Sequence, residues 1–316
     1  MPLSSSAFST GRLLFVQILS LTFCFAGPSA FGAETLPEPA KNLRHLQALR
    51  AGVVFQELGW TLNEDFVPRP VRAMLTRLKH DMRERIVAAM GQDADAEADP
   101  GSIEAAIARR FERDGLNPHR GDDYLRFARR FLVRAAEAPG HPELRVVTLA
   151  IGIPLGDDTS LYIFERRPSG WELVLSSEVN GYPSVMKAQS HFRYKFSPFA
   201  GDGSWFVVTA SVNNRAASAW QGVTYTAQMA GDDPYHPRVL VREEHTICLI
   251  GFDDEGDAFE LVPSARGFRI SFPHAFAGQG IMAWAVYSYD IEDGRVRRSS
   301  RECHLNRARG RRIRCP

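Results

Sequence analysis

Lysine is nearly missing from this chain, cysteine is scarce, and no familiar catalytic fingerprint occurs in it. Lysine stands only at positions 41, 79, 187 and 195, so almost all of the 38 basic residues are arginine. Arginine's planar fork suits carboxylate and phosphate recognition, although a GC-rich genome gives the same bias. Against 37 acidic residues the formal net charge is only +1, which argues against a general nucleic-acid binder. There is no Gly-x-Ser-x-Gly elbow, no His-Glu-x-x-His zinc helix, no phosphate-binding glycine loop and no dinucleotide fingerprint. Gly201-Asp202-Gly203-Ser204 reads instead as a hairpin turn. These absences weigh against an enzyme, although a triad is defined by geometry and can be assembled from distant residues.

Only one apolar run is long enough to consider for a membrane, and it reads as an export signal. Arg12 supplies the positive charge, Leu13 to Ala26 the apolar stretch, and Ala30-Phe31-Gly32 a small-x-small cleavage site. Gln17, Ser20 and Thr22 interrupt the run, which is too short for a comfortable span. Cys24 follows Phe23, where a lipoprotein signal wants a small residue. Residues 1–32 are therefore expected to be cleaved, leaving a secreted or periplasmic protein with no transmembrane segment. Cleavage also removes Cys24 and leaves Cys248, Cys303 and Cys315. In an oxidising compartment Cys303 and Cys315 are close enough in sequence to pair and tie down the C-terminus, contributing about 2–3 kcal/mol in the chain-entropy model. Cys248, beside Ile250 on a strand face, reads as a buried thiol.

What the chain does have is ample core material, at 44% hydrophobic residues, arranged with two different periods. From 33 to about 140 the period is helical. Leu43, Leu46, Leu49, Val53 and Val54 form one stripe. Val71, Met74, Leu75, Leu78, Met82, Ile86 and Val87 form a second. Asp99-Pro100 opens a third helix carrying Ile103, Ile107 and Phe111. A fourth is expected from Asp122 or Asp123 through Phe127, Ala128, Phe131 and Leu132.

After Pro139-Gly140 the period becomes two. Phe268, Ile270 and Phe272 alternate with Arg269 and Ser271, and Trp171, Leu173 and Leu175 with Glu172 and Ser176. Phe192, Tyr194 and Phe196 repeat the pattern. Val146 to Ile153 and Trp205 to Val212 are more uniformly apolar, as in central strands covered on both faces. Ser169-Gly170, Asp202-Gly203, Glu255-Gly256 and Asp293-Gly294 supply tight turns between them. The expectation is an α+β chain: a helical region over 33–140, a predominantly antiparallel β domain over 141–298, and a basic tail over 299–316. The β body is sandwich or barrel-like. A propeller is the lesser alternative, because the turn glycines are unevenly spaced.

Three stretches carry candidate chemistry. Glu243 and His245, two apart on one strand face with Val239, Val241 and Ile247, place a carboxylate beside an imidazole. A hydrogen-bonded structural pair fits the same spacing. Asp93, Asp95, Glu97, Asp99 and Glu104 fall at positions 1, 3, 5, 7 and 12 of a calcium loop. Ala98 occupies the position that requires glycine and Pro100 follows, which favours a solvated linker over a metal site. Arg307, Arg309, Arg311, Arg312 and Arg314 offer an anion-binding patch, or a charged tail that protects the last strand edge. Together these features imply an exported, non-catalytic binding or cell-envelope-associated protein that needs no cofactor. Its partner would be an anionic envelope component or a protein, not nucleic acid. The alternative is an extracytoplasmic hydrolase acting on glycan, ester or peptide, with Glu243 and His245 the first residues to mutate.

Overall fold

A computed structural model describes residues 37–49, 67, 69–92, 99–117, 126–154, 156–179, 188–213, 220–248, 258–276, 281–292 and 295–306. Contacts cluster residues 36–316 into one compact unit. Three helices precede twelve strands among the described residues: α1 (Glu38–Ala48), α2 (Arg69–Gln92) and α3 (Pro100–Arg113). Each buries the stripe its sequence displays. Leu43 and Leu46 of α1, Leu75, Leu78, Met82 and Ile86 of α2, and Ile103 and Ile107 of α3 are all at most 1% exposed. Asp99 caps α3, its carboxylate accepting from the backbone N–H groups of Gly101 and Ser102, and Pro100 follows at the first helical position.

The strands are β1 (Phe131–Ala138), β2 (His141–Ile153), β3 (Gly156–Arg167), β4 (Gly170–Ser177), β5 (Gln189–Phe196) and β6 (Val207–Asn213). They continue as β7 (Trp220–Met229), β8 (Arg238–Cys248), β9 (Glu260–Ser264), β10 (Gly267–Phe276), β11 (Ile281–Glu292) and β12 (Arg295–Asn306). All pairings are antiparallel and make two sheets that do not close into a barrel. The larger sheet has eight strands, seven in the order β1-β2-β3-β5-β6-β7-β8 with β4 paired to β3. The smaller runs β12-β11-β10-β9. Strand β3 forks. Its edge pairs with β4 from Leu161 to Arg167, and with β5 only where Asp157 faces Gln189. Gly156 permits this junction, since a Cβ there would meet the Ala188 Cβ at 2.8 Å and the Gln189 carbonyl at 2.9 Å.

Three apolar layers follow from the alternation. The helices cover Val147, Leu149, Ile151, Tyr162, Phe164, Trp171 and Leu173 of β2–β4. The opposite face, with Val146, Leu161, Ile163 and Leu175, packs with Phe196 and Val207. Strands β6–β8 lay Val208, Ala210, Val212, Val223 and Tyr225 against Phe268, Ile270, Phe272 and Tyr289 of the smaller sheet. Each such side chain contributes about 1.5–3 kcal/mol when fully buried.

The described structure corrects two expectations. The expected fourth helix is absent over its described part: Phe127 and Ala128 lie in a turn and Phe131–Ala138 is β1. Phe131, Val133 and Ala135 pack on the helical layer while Leu132 is 45% exposed. Period-two burial against β2 thus overrides the local helical preference of an alanine-rich run. The last strand does not stop at Arg298; β12 continues to Asn306 in register with β11, so Cys303 lies within the sheet. Strand β6 is covered on both faces as its sequence predicts, and Thr209, Ser211 and Asn213 are buried on one of them, with Thr209 opposite buried Thr226 of β7. Half-buried Phe192 and Tyr194 alternate with exposed Arg193 and Lys195 up to buried Phe196, as their spacing predicts, past a register shift between Ser190 and Arg193.

Candidate functional site

Glu243 and His245 do come together, and with more partners than their own strand supplies. The Glu243 Oε2 lies 2.8 Å from His245 Nε2. Tyr225, opposite Glu243 on β7, brings its hydroxyl to 3.2 Å from Glu243 and 3.0 Å from His245. From the facing sheet the Tyr289 hydroxyl approaches that of Tyr225 to 2.6 Å, and Arg298 of β12 reaches Glu243 Oε1 at 3.2 Å. The Arg298 guanidinium also lies 4.7 Å over the Tyr287 ring. Five side chains from four strands thus close a polar network across the sandwich. Tyr225 and Tyr289 are 1% and 2% exposed, and burial pushes both phenols well above their ordinary range. Burial pushes the Glu243 carboxyl up too, but hydrogen bonds from His245 and Tyr289 and the charge of Arg298 outweigh it and hold the group below its usual value. Every polar tip points at another member, as in a structural clasp between two sheets.

A second constellation, not foreseen from the sequence, surrounds a cleft of about 520 Å³. Helix α2 presents Thr76, His80 and Arg83 to it, spaced i, i+4 and i+7 on the face beside its buried stripe. The end of β4 contributes Ser176 and the residue Glu178 just beyond. The β7–β8 connection supplies Tyr235, His236 and Pro237, held to β4 by a 2.7 Å hydrogen bond from the Ser176 N–H to the Pro234 carbonyl. Gln228, Val239 and Arg242 complete the lining.

The polar groups of this cleft are oriented by their neighbours. Arg83 donates to both oxygens of Glu178 at 3.3 Å and stacks 4.3 Å over Tyr235. It also donates to His80 Nδ1 at 2.6 Å, which leaves the proton of a neutral His80 ring on Nε2. Tyr162, fully buried, donates to Glu178 at 2.9 Å. Burial and the Glu178 charge raise its phenol far above the normal value. Gln228 is 3% exposed and its Oε1 has no hydrogen-bond partner. It follows the alternation of β7, on the face opposite Tyr225 and Ala227; Ala227 pairs with Val241 but Gln228 with Val239, so β8 carries one extra residue and Val239 is turned away from the core face of Val241. Bulges of this kind re-aim a side chain.

The other singled-out residues have different fates. Asp99 is engaged as the α3 cap, and Glu104 accepts from the Ala135 N–H at 2.9 Å and pairs with Arg134 at 3.3 Å. Asp93, Asp95 and Glu97 lie outside the described residues, and no group of three metal-ligating side chains occurs among the described ones. Arg307, Arg309, Arg311, Arg312, Arg314 and Cys315 also lie outside them. Along β12, Arg295 stands opposite Glu292 and Arg297 opposite Asp290, so the described part of the basic stretch has acidic neighbours. Under α2, Lys79 and Asp158 form an ion pair at 3.0 Å with 2% and 1% exposure, and Lys79 also donates to the Val179 carbonyl. None of the described helices is long and apolar enough to cross a membrane.

Comparison with known proteins adds no relative: no family model, no curated protein and no solved structure matches the chain.

Proposed function

We propose that this chain is an exported, non-catalytic binding or cell-envelope-associated protein, and that its ligand occupies the cleft between α2, β4 and the β7–β8 connection. The observation that carries this reading is the buried, unpartnered Gln228 Oε1 in a cleft of about 520 Å³. Buried acceptors are ordinarily paired, and the volume lies within the roughly 300–1,000 Å³ typical of small-ligand sites. Export is supported by the N-terminal signal pattern. The Cys303–Cys315 tie is supported by the short spacing of the two cysteines in an exported chain. An anionic envelope component remains the proposed partner of residues 307–314.

Thermal unfolding of the mature chain against a ligand panel tests the proposal. A cleft ligand at about a hundred times its dissociation constant stabilises by about 2.7 kcal/mol, and Arg242→Glu at the cleft should change that response. A panel in which no compound shifts the midpoint, or shifts that Arg242→Glu leaves intact, refutes it.

A catalytic reading rests on the 2.8 Å Glu243–His245 contact with Tyr225 alongside. An extracytoplasmic hydrolase acting on glycan, ester or peptide would use Glu243 and His245 for proton transfer. Turnover of a chromogenic ester, glycoside or peptide that His245→Gln abolishes without unfolding would establish that reading over the first.

A further inference from the structure

We infer that the cleft recognises a saccharide, an inference that rests on the binding reading above. The chemistry of its walls points that way. Gln228 offers an unsatisfied acceptor, and Ser176, 5% exposed, a hydroxyl in the same lining. Glu178 and Arg83 add a carboxylate and a guanidinium already fixed by mutual bonds at 3.3 Å and by Tyr162 at 2.9 Å. With preset orientation the carboxylate can accept from two neighbouring hydroxyls and the guanidinium donate to two. Opposite charges are matched in the interior, because Arg83 faces Glu178, so a polyanion finds little net attraction there. Tyr235, 39% exposed though stacked on Arg83, supplies a rigid aromatic wall for the C–H face of a sugar ring. Val239, 45% exposed, extends that apolar side.

The recognition is built in rather than adaptive. Arg83 is held by Glu178, His80 and the Tyr235 ring at once, so little rotamer freedom remains to be lost on binding. Arg242 at the cleft distinguishes acidic from neutral sugars, and the test separates the two.

The experiment uses the mature full-length chain, calorimetric titration and a defined panel: neutral hexose oligomers, N-acetylated amino-sugar oligomers, uronic-acid oligomers, inorganic phosphate and a pool of short peptides. One saccharide class is expected to bind. Gln228→Leu should weaken it at least tenfold while leaving the thermal midpoint unchanged or higher, since the substitution removes a buried unpaired acceptor. Tyr235→Ala, at an exposed loop position, should weaken it as well. If acidic sugars alone bind and Arg242→Gln releases them, the charge at the cleft selects the class. Saccharide binding that survives both Gln228→Leu and Tyr235→Ala overturns the assignment of the site. Peptide or phosphate binding that Gln228→Leu abolishes, with no saccharide bound, overturns the saccharide and keeps the cleft. No binding by any probe overturns both.

Discussion

Removing the charge of Lys79 should destabilise this protein more than any surface substitution. Its ammonium lies 3.0 Å from Asp158, the two side chains are 2% and 1% exposed, and a second bond runs to the Val179 carbonyl. Lys79→Met keeps most of the apolar stem but strands a carboxylate beneath α2. Breaking a buried pair on one side costs about 3–5 kcal/mol. At about 2–4 °C per kcal/mol for a domain of this size, the midpoint should fall by roughly 10 °C. Asp158 sets the pH dependence. Burial raises its folded carboxyl above the unfolded value, against the attraction of Lys79, and the unfolded value is about 3.9. The contribution of such a group is whole below about pH 3.9 and is lost as pH rises through the folded value. Without Lys79 the folded value rises further, so the deficit of Lys79→Met is largest at neutral pH and shrinks on acidification. Lys79→Met with Asp158→Leu should recover most of the loss, because a well-packed apolar replacement of a buried pair is often neutral or better. Urea unfolding of the three variants at pH 5 and pH 7 decides it. A single-variant loss below about 1 kcal/mol, or one that does not change with pH, refutes the reasoning.

Other outcomes are equally specific. Tyr289→Phe removes the 2.6 Å partner of Tyr225 between the sheets and should cost about 0.5–1.5 kcal/mol, read from urea midpoints. Tyr225 and Tyr289 have folded values raised by burial, so their contribution is whole below about pH 10 and lost above it. Tyrosinate absorbance should therefore show these two ionising only together with alkaline unfolding. Glu243 has the opposite sign: its folded value is depressed by His245, Tyr289 and Arg298 despite burial. Stability from it is present above about pH 4.3 and fades as acid protonates the folded carboxylate, a slope that Glu243→Gln should flatten. Gly267→Ala should be severe, since φ is +157° and a Cβ would meet the Tyr289 carbonyl at 1.8 Å. Backbone strain alone costs about 1–3 kcal/mol, and loss of the β9–β10–β11 register would appear as lost amide protection.

Much of the architecture was legible because burial imprints its period on the chain. Phe268, Ile270 and Phe272 alternate in the sequence and are buried in β10, and the stripes of α1, α2 and α3 are buried as their spacing predicts. Ser169-Gly170 and Asp202-Gly203 place glycine where φ is +117° and +79°. Phe131–Ala138 misled because its alanines favour a helix in isolation, and only pairing with β2 makes it a strand. The Glu243–His245 pair was legible because two-residue spacing fixes a common face. Tyr289 and Arg298 were not, since cross-sheet contacts depend on how two sheets stack; Tyr225 and Tyr289 are 64 residues apart. The cleft was illegible for a related reason. Arg83 and Glu178 are separated by 95 residues, and Val239 lines the cleft instead of sharing the face of Val241 only because β8 carries an extra residue.

The fork in β3 bears on how the chain is made. Almost every strand pairs with its immediate neighbour in sequence, and β3 with β5 is the exception. On the growing polypeptide, α1 to β4 can assemble while β5 to β12 are still to come. At about 5–20 residues per second the stretch from Ser177 to Gln189 takes roughly one second. Throughout it the Gly156 end of β3 has no partner on its second edge until Gln189 arrives opposite Asp157. An open strand edge is a template for foreign chains. Asp157 and Asp158 place charge on that edge, a device that blunts open strand edges, until β5 closes the seam.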